Sequence, residues 1–389
     1  MPCLFGTDSY NARMAHTYDI CIRGAGIVGR TLALHLAAKR LRVALAANAA
    51  DGAESAAADV RAFALNPRSR ALLEAVRCWP AGDAATPVLR MAVQSDANSQ
   101  VNFDAAEQGV EALNWMVDVP ALDQQLAQAV QFQPLITVAD APQAATLTVV
   151  CEGRASATRA EFGVDFELSR YAQWAIAARV ESELPHQQTA RQWFHAGDIT
   201  ALLPLQGPEG KQHALVWSVS PERARRLLDC PEIEFTEALA AATQFAVGRL
   251  RLCSPRASWP LQHAVAQRWC GTTHLAGANR TWALAGDAAH NVHPLAGQGL
   301  NLGLGDVAEL VRLIDTRSYW RAVDDMRLLR RYERARKAEF ALVGGSGDAL
   351  QQLFAHPHAL VQTARNWGLR GFDRVAPLKH WVAKRAMGM

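Results

Sequence analysis

Glycine spacing constrains this chain more than any other feature. Residues 18–47 hold a short apolar run, Tyr18 to Ile22, then Gly24, Gly26 and Gly29. A helical pattern follows, with Val28, Leu32 and Leu36 four residues apart, and then a second apolar run, Arg42 to Ala46. Strand, glycine turn, helix and strand in about 30 residues make a βαβ unit of the nucleotide-binding kind. Each glycine has a separate task. Gly24 permits the tight turn, Gly26 lets backbone approach a pyrophosphate, and Gly29 lets the helix pack closely on the strand. The helix start then offers N–H groups and a positive dipole end to phosphate.

The unit departs from the usual pattern twice. Arg23 stands where a small or apolar residue is common. The second strand should end in Asp or Glu to hold the ribose hydroxyls, but here it runs Leu45-Ala46-Ala47-Asn48. Either Asn48 bonds the ribose without charge, or Asp51 folds back to do so.

A second motif lies far downstream. Residues 282–305 read WALAGDAAHNVHPLAGQGLNLGLG. An apolar strand ends in Gly286-Asp287, small residues and His-Pro follow, and Gly297-Gln298-Gly299 opens an amphipathic helix near Leu300. Asp287 can accept a bond from a ribityl hydroxyl, and Gly297 and Gly299 let backbone N–H groups reach a planar ring. The helix dipole would favour negative charge collecting on that ring.

Composition narrows the class. The chain has 389 residues, 50% apolar and 20% charged, enough for two domains of ordinary globular make-up. A net charge of +3 gives no argument for nucleic acid. The seven cysteines are irregularly spaced with no C-x-x-C, which speaks against a disulfide framework or zinc site and for a reducing cytoplasm. No charge-free run of 18 apolar residues reads as a spanning helix. Residues 1–17 lack a secretory pattern, and Met14 is an alternative start. His290 and His293, three apart, have no Cys or carboxylate at ligand spacing, so no metal is expected.

The string G-D-A-A-H-x-x-H-P-x-x-G-Q-G-x-N-x-G resembles the FAD-dependent aromatic hydroxylases of the para-hydroxybenzoate hydroxylase fold, and among them the 2-polyprenylphenol hydroxylases of ubiquinone biosynthesis. Asp59-Val60-Arg61-Ala62-Phe63-Ala64-Leu65, Pro185-His186, Ala201-Leu202-Leu203-Pro204-Leu205, Val216-Trp217-Ser218 and Arg365-Asn366-Trp367-Gly368-Leu369 agree with it, so the similarity covers nearly the whole chain.

The resemblance implies an α/β protein in which a Rossmann-like FAD-binding domain is interleaved with a β-sheet substrate domain and followed by a C-terminal helical segment. Residues 17–70, 116–165 and 278–345 would form the first, 71–115 and 166–277 the second, and 346–389 the last. It implies that Gly24, Gly26, Gly29, Arg61, Gly286, Asp287, Gly297, Gln298, Gly299 and Asn301 bind FAD, with Arg61 at the diphosphate. A third family motif, Asp-Gly with Ser and Arg following and associated with both FAD and NAD(P)H, maps onto Glu152-Gly153-Arg154-Ala155-Ser156-Ala157-Thr158-Arg159, which adds Glu152 to the implied cofactor-binding residues. Glu152 is there one methylene longer than the usual Asp. Only about fifteen residues, Gln131 to Ala145, precede that motif's strand, where the family carries a hairpin or more.

The implied reaction uses NAD(P)H to reduce FAD, O2 to form a C4a-hydroperoxide, and a phenolic, polyprenylated ring as acceptor. Pro294 would lie over the flavin with its carbonyl near a substrate hydroxyl, and His290 would orient the loop. Trp174, Trp193, Trp217 and Trp259 fall in the substrate domain, mostly as core. Residues 324–340 read as a solvated charged helix face. The tail from 361 to 389 is basic and Trp-bearing, open to two readings, a peripheral inner-membrane contact or a packed terminal helix. Two rival functions stand: hydroxylation or epoxidation of a soluble substrate, and a non-catalytic subunit of a quinone-biosynthesis complex. The second is motivated by the missing ribose carboxylate, Glu152 and the shortened segment.

Overall fold

The computed structural model describes residues 17–47, 60–94, 100–195, 197–275, 277–291 and 298–355. In chain order it begins with β1 (Tyr18–Arg23), α1 (Ile27–Ala38), β2 (Val43–Ala46), β3 (Ala62–Leu65) and α2 (Pro67–Ala75). Then come β4 (Ala85–Val88), β5 (Arg90–Gln94), β6 (Gln100–Asp104), α3 (Ala105–Gln108), β7 (Asn114–Asp118), α4 (Val119–Gln131), β8 (Ile136–Ala139) and β9 (Ala145–Val150). The chain continues through α5 (Ala157–Glu161), β10 (Phe166–Ser182), β11 (Thr189–His195), β12 (Asp198–Pro204), β13 (Gln212–Val219), α6 (Pro221–Asp229) and α7 (Glu232–Ala242). It ends with β14 (Leu250–Leu252), β15 (Ala257–Ala266), β16 (Cys270–Leu275), β17 (Ala278–Leu284), β18 (His290–Asn291), α8 (Gln298–Asp315) and α9 (Met326–Ala355).

Three sheets form among the described residues. The first has the order β16-β17-β9-β1-β2-β8, and all its neighbours run parallel except the β16–β17 hairpin. Its central strands are buried on both faces, as a sheet with helix cover demands, which explains why β1 and β2 read as continuous apolar runs. Leu32 and Leu36 of α1 are fully buried against it. The second sheet has the order β18-β15-β10-β13-β12-β11-β5-β6, with β14 also on β10, and is antiparallel except for β11–β5. Between them lies a small antiparallel sheet, β3-β7-β4.

The strand patches expected at Val88–Gln94, Tyr171–Val180, Ala190–Phe194 and Ala214–Val219 lie within strands of the second sheet, apart from Val88, which ends β4, and Leu89. Trp217 and Trp193 are buried in that sheet's core with Phe235, so both are packing residues, and Trp174 packs on the same core. Where a hairpin was missing before β9, a single strand, β8, closes the edge of the first sheet.

The expected domain limits shift in three places. Cys270 to Leu275 pairs with β17 in the first sheet, so a boundary at 278 would cut a hairpin. Leu73 and Cys78 pack in the same core as β1 and α1, which moves 71–78 to the nucleotide-binding side. No break occurs at 345/346, because α9 runs on through it. The tail from 361 to 389, with its membrane reading, lies outside the described residues. Among those described, no helix is long and apolar enough to cross a membrane.

Candidate cofactor site

The three glycines of the first motif are held for different reasons. Gly24 has φ +108, and a Cβ there would sit 2.5 Å from the Cys151 carbonyl oxygen. A Cβ on Gly29 would sit 2.0 Å from the Gly24 carbonyl oxygen. Both positions therefore belong to glycine for packing alone. Gly26 is unlike them. Its φ of −77 and ψ of −176 suit any residue, and a Cβ there meets no described atom within 4 Å. Among the described residues nothing requires glycine at 26, and no described atom fills the space in front of it. It is also the N-cap of α1, and no described side chain caps that end, so among the described residues its first N–H groups remain for an anion.

This turn lies at the carboxyl edge of the first sheet, where ligands bind in open α/β folds. Backbone bonds join the strand exits there: Gly24 N–H to Ala46 O at 2.9 Å, Cys151 N–H to Arg23 O at 2.7 Å and Ala285 N–H to Val150 O at 3.0 Å. Gly286 has φ +64 and faces Val28, and a Cβ on Gly303 would come 2.9 Å from the same valine. These contacts draw α8 against α1, and the N-terminal turns of both helices serve the same region. Gly299 lies in the first turn of α8, and a Cβ added to it would meet no described atom within 4 Å, so it matches Gly26. Gln298 begins α8. Pro294, His293 and Gly297 lie outside the described residues, as do Asn48 and Asp51.

Asp287 stands at the exit of β17 with Asn291 Nδ2 donating to Oδ2 at 3.3 Å. Enclosure by protein pushes its carboxyl up, against the His290 and Arg154 charges, yet its residue surface is still partly open.

The structure gives several expected site residues internal duties. Asn301 is buried; its Oδ1 accepts from Asn66 N–H at 2.9 Å and Ser69 Oγ at 2.7 Å, and its Nδ2 donates to Ala64 O at 2.7 Å. It thus pins the start of α8 to β3 and α2. The Glu152 side chain is only 4% exposed, with Oε2 accepting from Ser156 Oγ at 2.8 Å and Thr158 N–H at 3.1 Å, and Oε1 from Thr158 Oγ1. Arg23 Nε lies 3.3 Å from Glu152 Oε1, and Arg23 Nη1 also binds Glu161 at 2.9 Å. Burial works to raise the Glu152 carboxyl, but the Thr158 and Ser156 bonds and Arg23 bring it below the ordinary range. The two irregular residues of the sequence, Arg23 and Glu152, are partners. Arg159 completes this motif, donating to Ala288 O at 3.1 Å and Arg154 O at 2.9 Å, with its guanidinium over Phe166. Arg61 is exposed just before β3, where its carbonyl accepts from Val119 N–H at 3.4 Å.

The ring of His290, expected to orient the loop, is held inside the protein. It is 2% exposed, stacked on Trp269 at 4.7 Å, and its Nε2 bonds Asp306 Oδ2 at 2.7 Å. Asp306, which sequence reasoning missed, is fully buried. It also accepts from Gly286 N–H at 2.8 Å and from Arg336 Nε at 2.6 Å, while Arg336 Nη2 donates to Leu302 O at 3.0 Å. Burial would raise the Asp306 carboxyl, but His290 and Arg336 outweigh it and hold it low. The helix expected as a solvated charged face thus buries Arg336, and with it Tyr332, whose hydroxyl donates to Leu284 O at 2.8 Å. The available signal was one Asp within an otherwise apolar helix face.

Residues 136–343 match the family model described as FAD binding domain. The chain belongs to that FAD-binding family. The ubiquinone hydroxylase UbiL of Rhodospirillum rubrum is 30% identical over 399 residues, covering 95% of this chain and 89% of that protein. The 3-demethoxyubiquinol 3-hydroxylase of Escherichia coli is 30% identical over 401 residues, covering 95% and 98%. The structure of p-nitrophenol 4-monooxygenase PnpA from Pseudomonas putida superimposes with a TM-score of 0.72 at 15% identity, over 95% of this chain and 98% of that one. PyrE3, described as a Diels-Alderase, shares the fold at a TM-score of 0.68 and 18% identity, over 96% and 81%, so the fold alone does not name the reaction.

As an FAD-binding site, the cleft fits in its open glycines, its uncapped α1 end and the partly open edge of Asp287. It departs at the end of β2, where the described residues Ala46 and Ala47 carry no carboxylate for the ribose.

Proposed function

We propose that this protein is an FAD-dependent monooxygenase that hydroxylates a phenolic ring, with a polyprenylated precursor of ubiquinone as substrate. The observation that carries the cofactor half is Gly26, a glycine that packing among the described residues does not need and before which no described atom fills the space at the α1 N–H groups. Similarity along nearly the full length to two ubiquinone-pathway hydroxylases supports the substrate half.

When bound and reduced by NAD(P)H, FAD would activate O2, of which one atom goes to the ring and the other leaves as water. The protein's share is binding and orientation. Gly26 and the α1 end hold the diphosphate, with Arg61 nearby. Asp287 takes a ribityl hydroxyl, and the start of α8 from Gln298 and Gly299 lowers the cost of negative charge on the reduced ring. Asp306, Arg336 and His290 fix the Gly286 turn from behind, and Asn301 fixes α8. Pro294 and Gly297 complete the ring contacts in this proposal. The tail beyond 360 brings the protein to the membrane that holds a polyprenyl chain.

A non-catalytic role in a quinone-biosynthesis complex is the second reading, favoured by the absent carboxylate at the end of β2 and by Glu152 spending both oxygens internally. Purified protein with flavin absorbance, together with a deletion strain that accumulates an under-hydroxylated quinone precursor, supports the enzyme. A colourless protein that takes up no FAD, in a strain with an unchanged quinone pool, refutes it.

A further inference from the structure

Between the small sheet and the second sheet lies a cavity of about 280 Å³, lined in part by Thr86, Met116, Asp118, Arg179, Leu205 and Gln206. Thr86, Met116 and Leu205 are buried and form its floor, while Gln206 is exposed at its rim. An apolar cavity of ~150 Å³ accommodates benzene, so this one has room for a substituted ring. It is also placed beside the cofactor elements. Met116 pairs across β7–β3 with Ala64, the residue whose carbonyl Asn301 of α8 holds, and Asp118 pairs with Ala62, next to Arg61.

The charged groups that line the cavity are Asp83, exposed at its mouth, and an ion pair on its wall, Arg179 of β10 with Asp118 at the end of β7. Asp118 is the N-cap of α4, a position where aspartate ordinarily accepts from the helix's own first N–H groups. Here Pro120 has removed one of those donors, and the carboxylate makes no capping bond. It turns to Arg179 instead, through Oδ1 and Nη2 only. Among the described residues, Asp118 Oδ2 and Arg179 Nε and Nη1 have no other partner. Both side chains keep over a quarter of their surface, at 28% and 29%. An acceptor and two donors are therefore left over side by side on the wall of a ring-sized cavity. A phenol hydroxyl has the complementary pair: one O–H to give and one oxygen to receive.

We propose that Asp118 and Arg179 are the specificity-determining residues that read the phenolic hydroxyl of the substrate, Asp118 Oδ2 accepting its proton's hydrogen bond and Arg179 donating to its oxygen. This rests on the function proposed above and names the substrate contact within it. An ether at the same ring position satisfies Arg179 but leaves Asp118 Oδ2 without a donor.

The test titrates the FAD-loaded protein with 2-allylphenol and with 2-allylanisole, followed by the change in flavin absorbance. The unaltered protein is expected to prefer the phenol by about tenfold or more, the factor that one charge-assisted hydrogen bond carries. Asp118→Asn should reduce that preference to within about twofold by weakening the phenol, while Arg179→Met, which removes the donor that both oxygens use, should weaken phenol and anisole alike by about tenfold; Arg179→Lys, which keeps charge but not the paired donors, should fall between Arg179→Met and the unaltered protein. An Asp118→Asn protein that keeps the full preference, an Arg179→Met protein that binds both ligands as tightly as the unaltered one, or an unaltered protein that binds both equally, overturns this assignment and leaves the flavoenzyme standing. A protein that cannot be loaded with FAD overturns both.

Discussion

Replacing Gly26 by alanine should separate cofactor binding from folding. The backbone at 26 is in a region that alanine adopts, and the new methyl group meets no described atom within 4 Å. In the free protein two small terms oppose each other. Alanine restricts the unfolded chain, worth about 0.4–1 kcal/mol of stability, and is a poorer N-cap than glycine by an amount of the same order. The apo melting temperature should therefore barely move. The methyl group does occupy the space a diphosphate needs. Losing one charge-assisted hydrogen bond costs roughly 1.5–3 kcal/mol, so FAD should bind about 10- to 100-fold more weakly. Gly29→Ala is the contrast. Its Cβ would fall 2.0 Å from the Gly24 carbonyl oxygen, backbone on both sides, and overpacking of that severity costs about 1–3 kcal/mol or more. Melting curves of the apo-proteins and quenching of FAD fluorescence on titration give both quantities. A Gly26→Ala protein that binds FAD as tightly as the unaltered one would refute this role for Gly26. So would a Gly26→Ala apo-protein as unstable as Gly29→Ala.

Asp306→Asn leaves buried Arg336 with Glu339 as its remaining carboxylate partner among the described residues, and a loss of about 3 kcal/mol is expected in urea melts; the double variant with Arg336→Met should recover a good part of it. His213 is fully buried, and burial, with His186 and Arg191 nearby, lowers its pKa to about 3 from an ordinary 6.5. The unfolded chain then takes up a proton below pH 6.5 that the folded one refuses, so this contribution is complete above 6.5 and erodes as the pH falls to about 3. At pH 5 the loss is about 2 kcal/mol, and denaturant midpoints of His213→Gln should show a shallower acid slope. Asn301→Ala strands Asn66 N–H, Ser69 Oγ and Ala64 O in the interior, which should cost about 2–3 kcal/mol and weaken FAD binding further by loosening α8, measured by the same titration.

Local order was written in the chain. A glycine at 24 or 29 is a statement about backbone within a few residues, and the periodicity of 28, 32 and 36 about one helix face, so β1, α1 and β2 could all be read along the sequence. Asn66 before Pro67 likewise marks the start of α2, where Asn66 Oδ1 accepts from Ser69 N–H. What the tertiary structure alone decided is which distant groups meet. Arg336 looks like any arginine of a charged helix until Asp306 is found beside it 30 residues away. Arg23 and Glu152 each looked like erosion until the parallel pairing of β1 with β9 put their strand ends together. The hairpin that carries Cys270–Leu275 into the first sheet and the turning of Asp118 toward Arg179 are of the same kind. Hydrogen bonding and charge compensation act through space, and a linear pattern records which residues carry such groups but not which of them the fold brings within 3 Å.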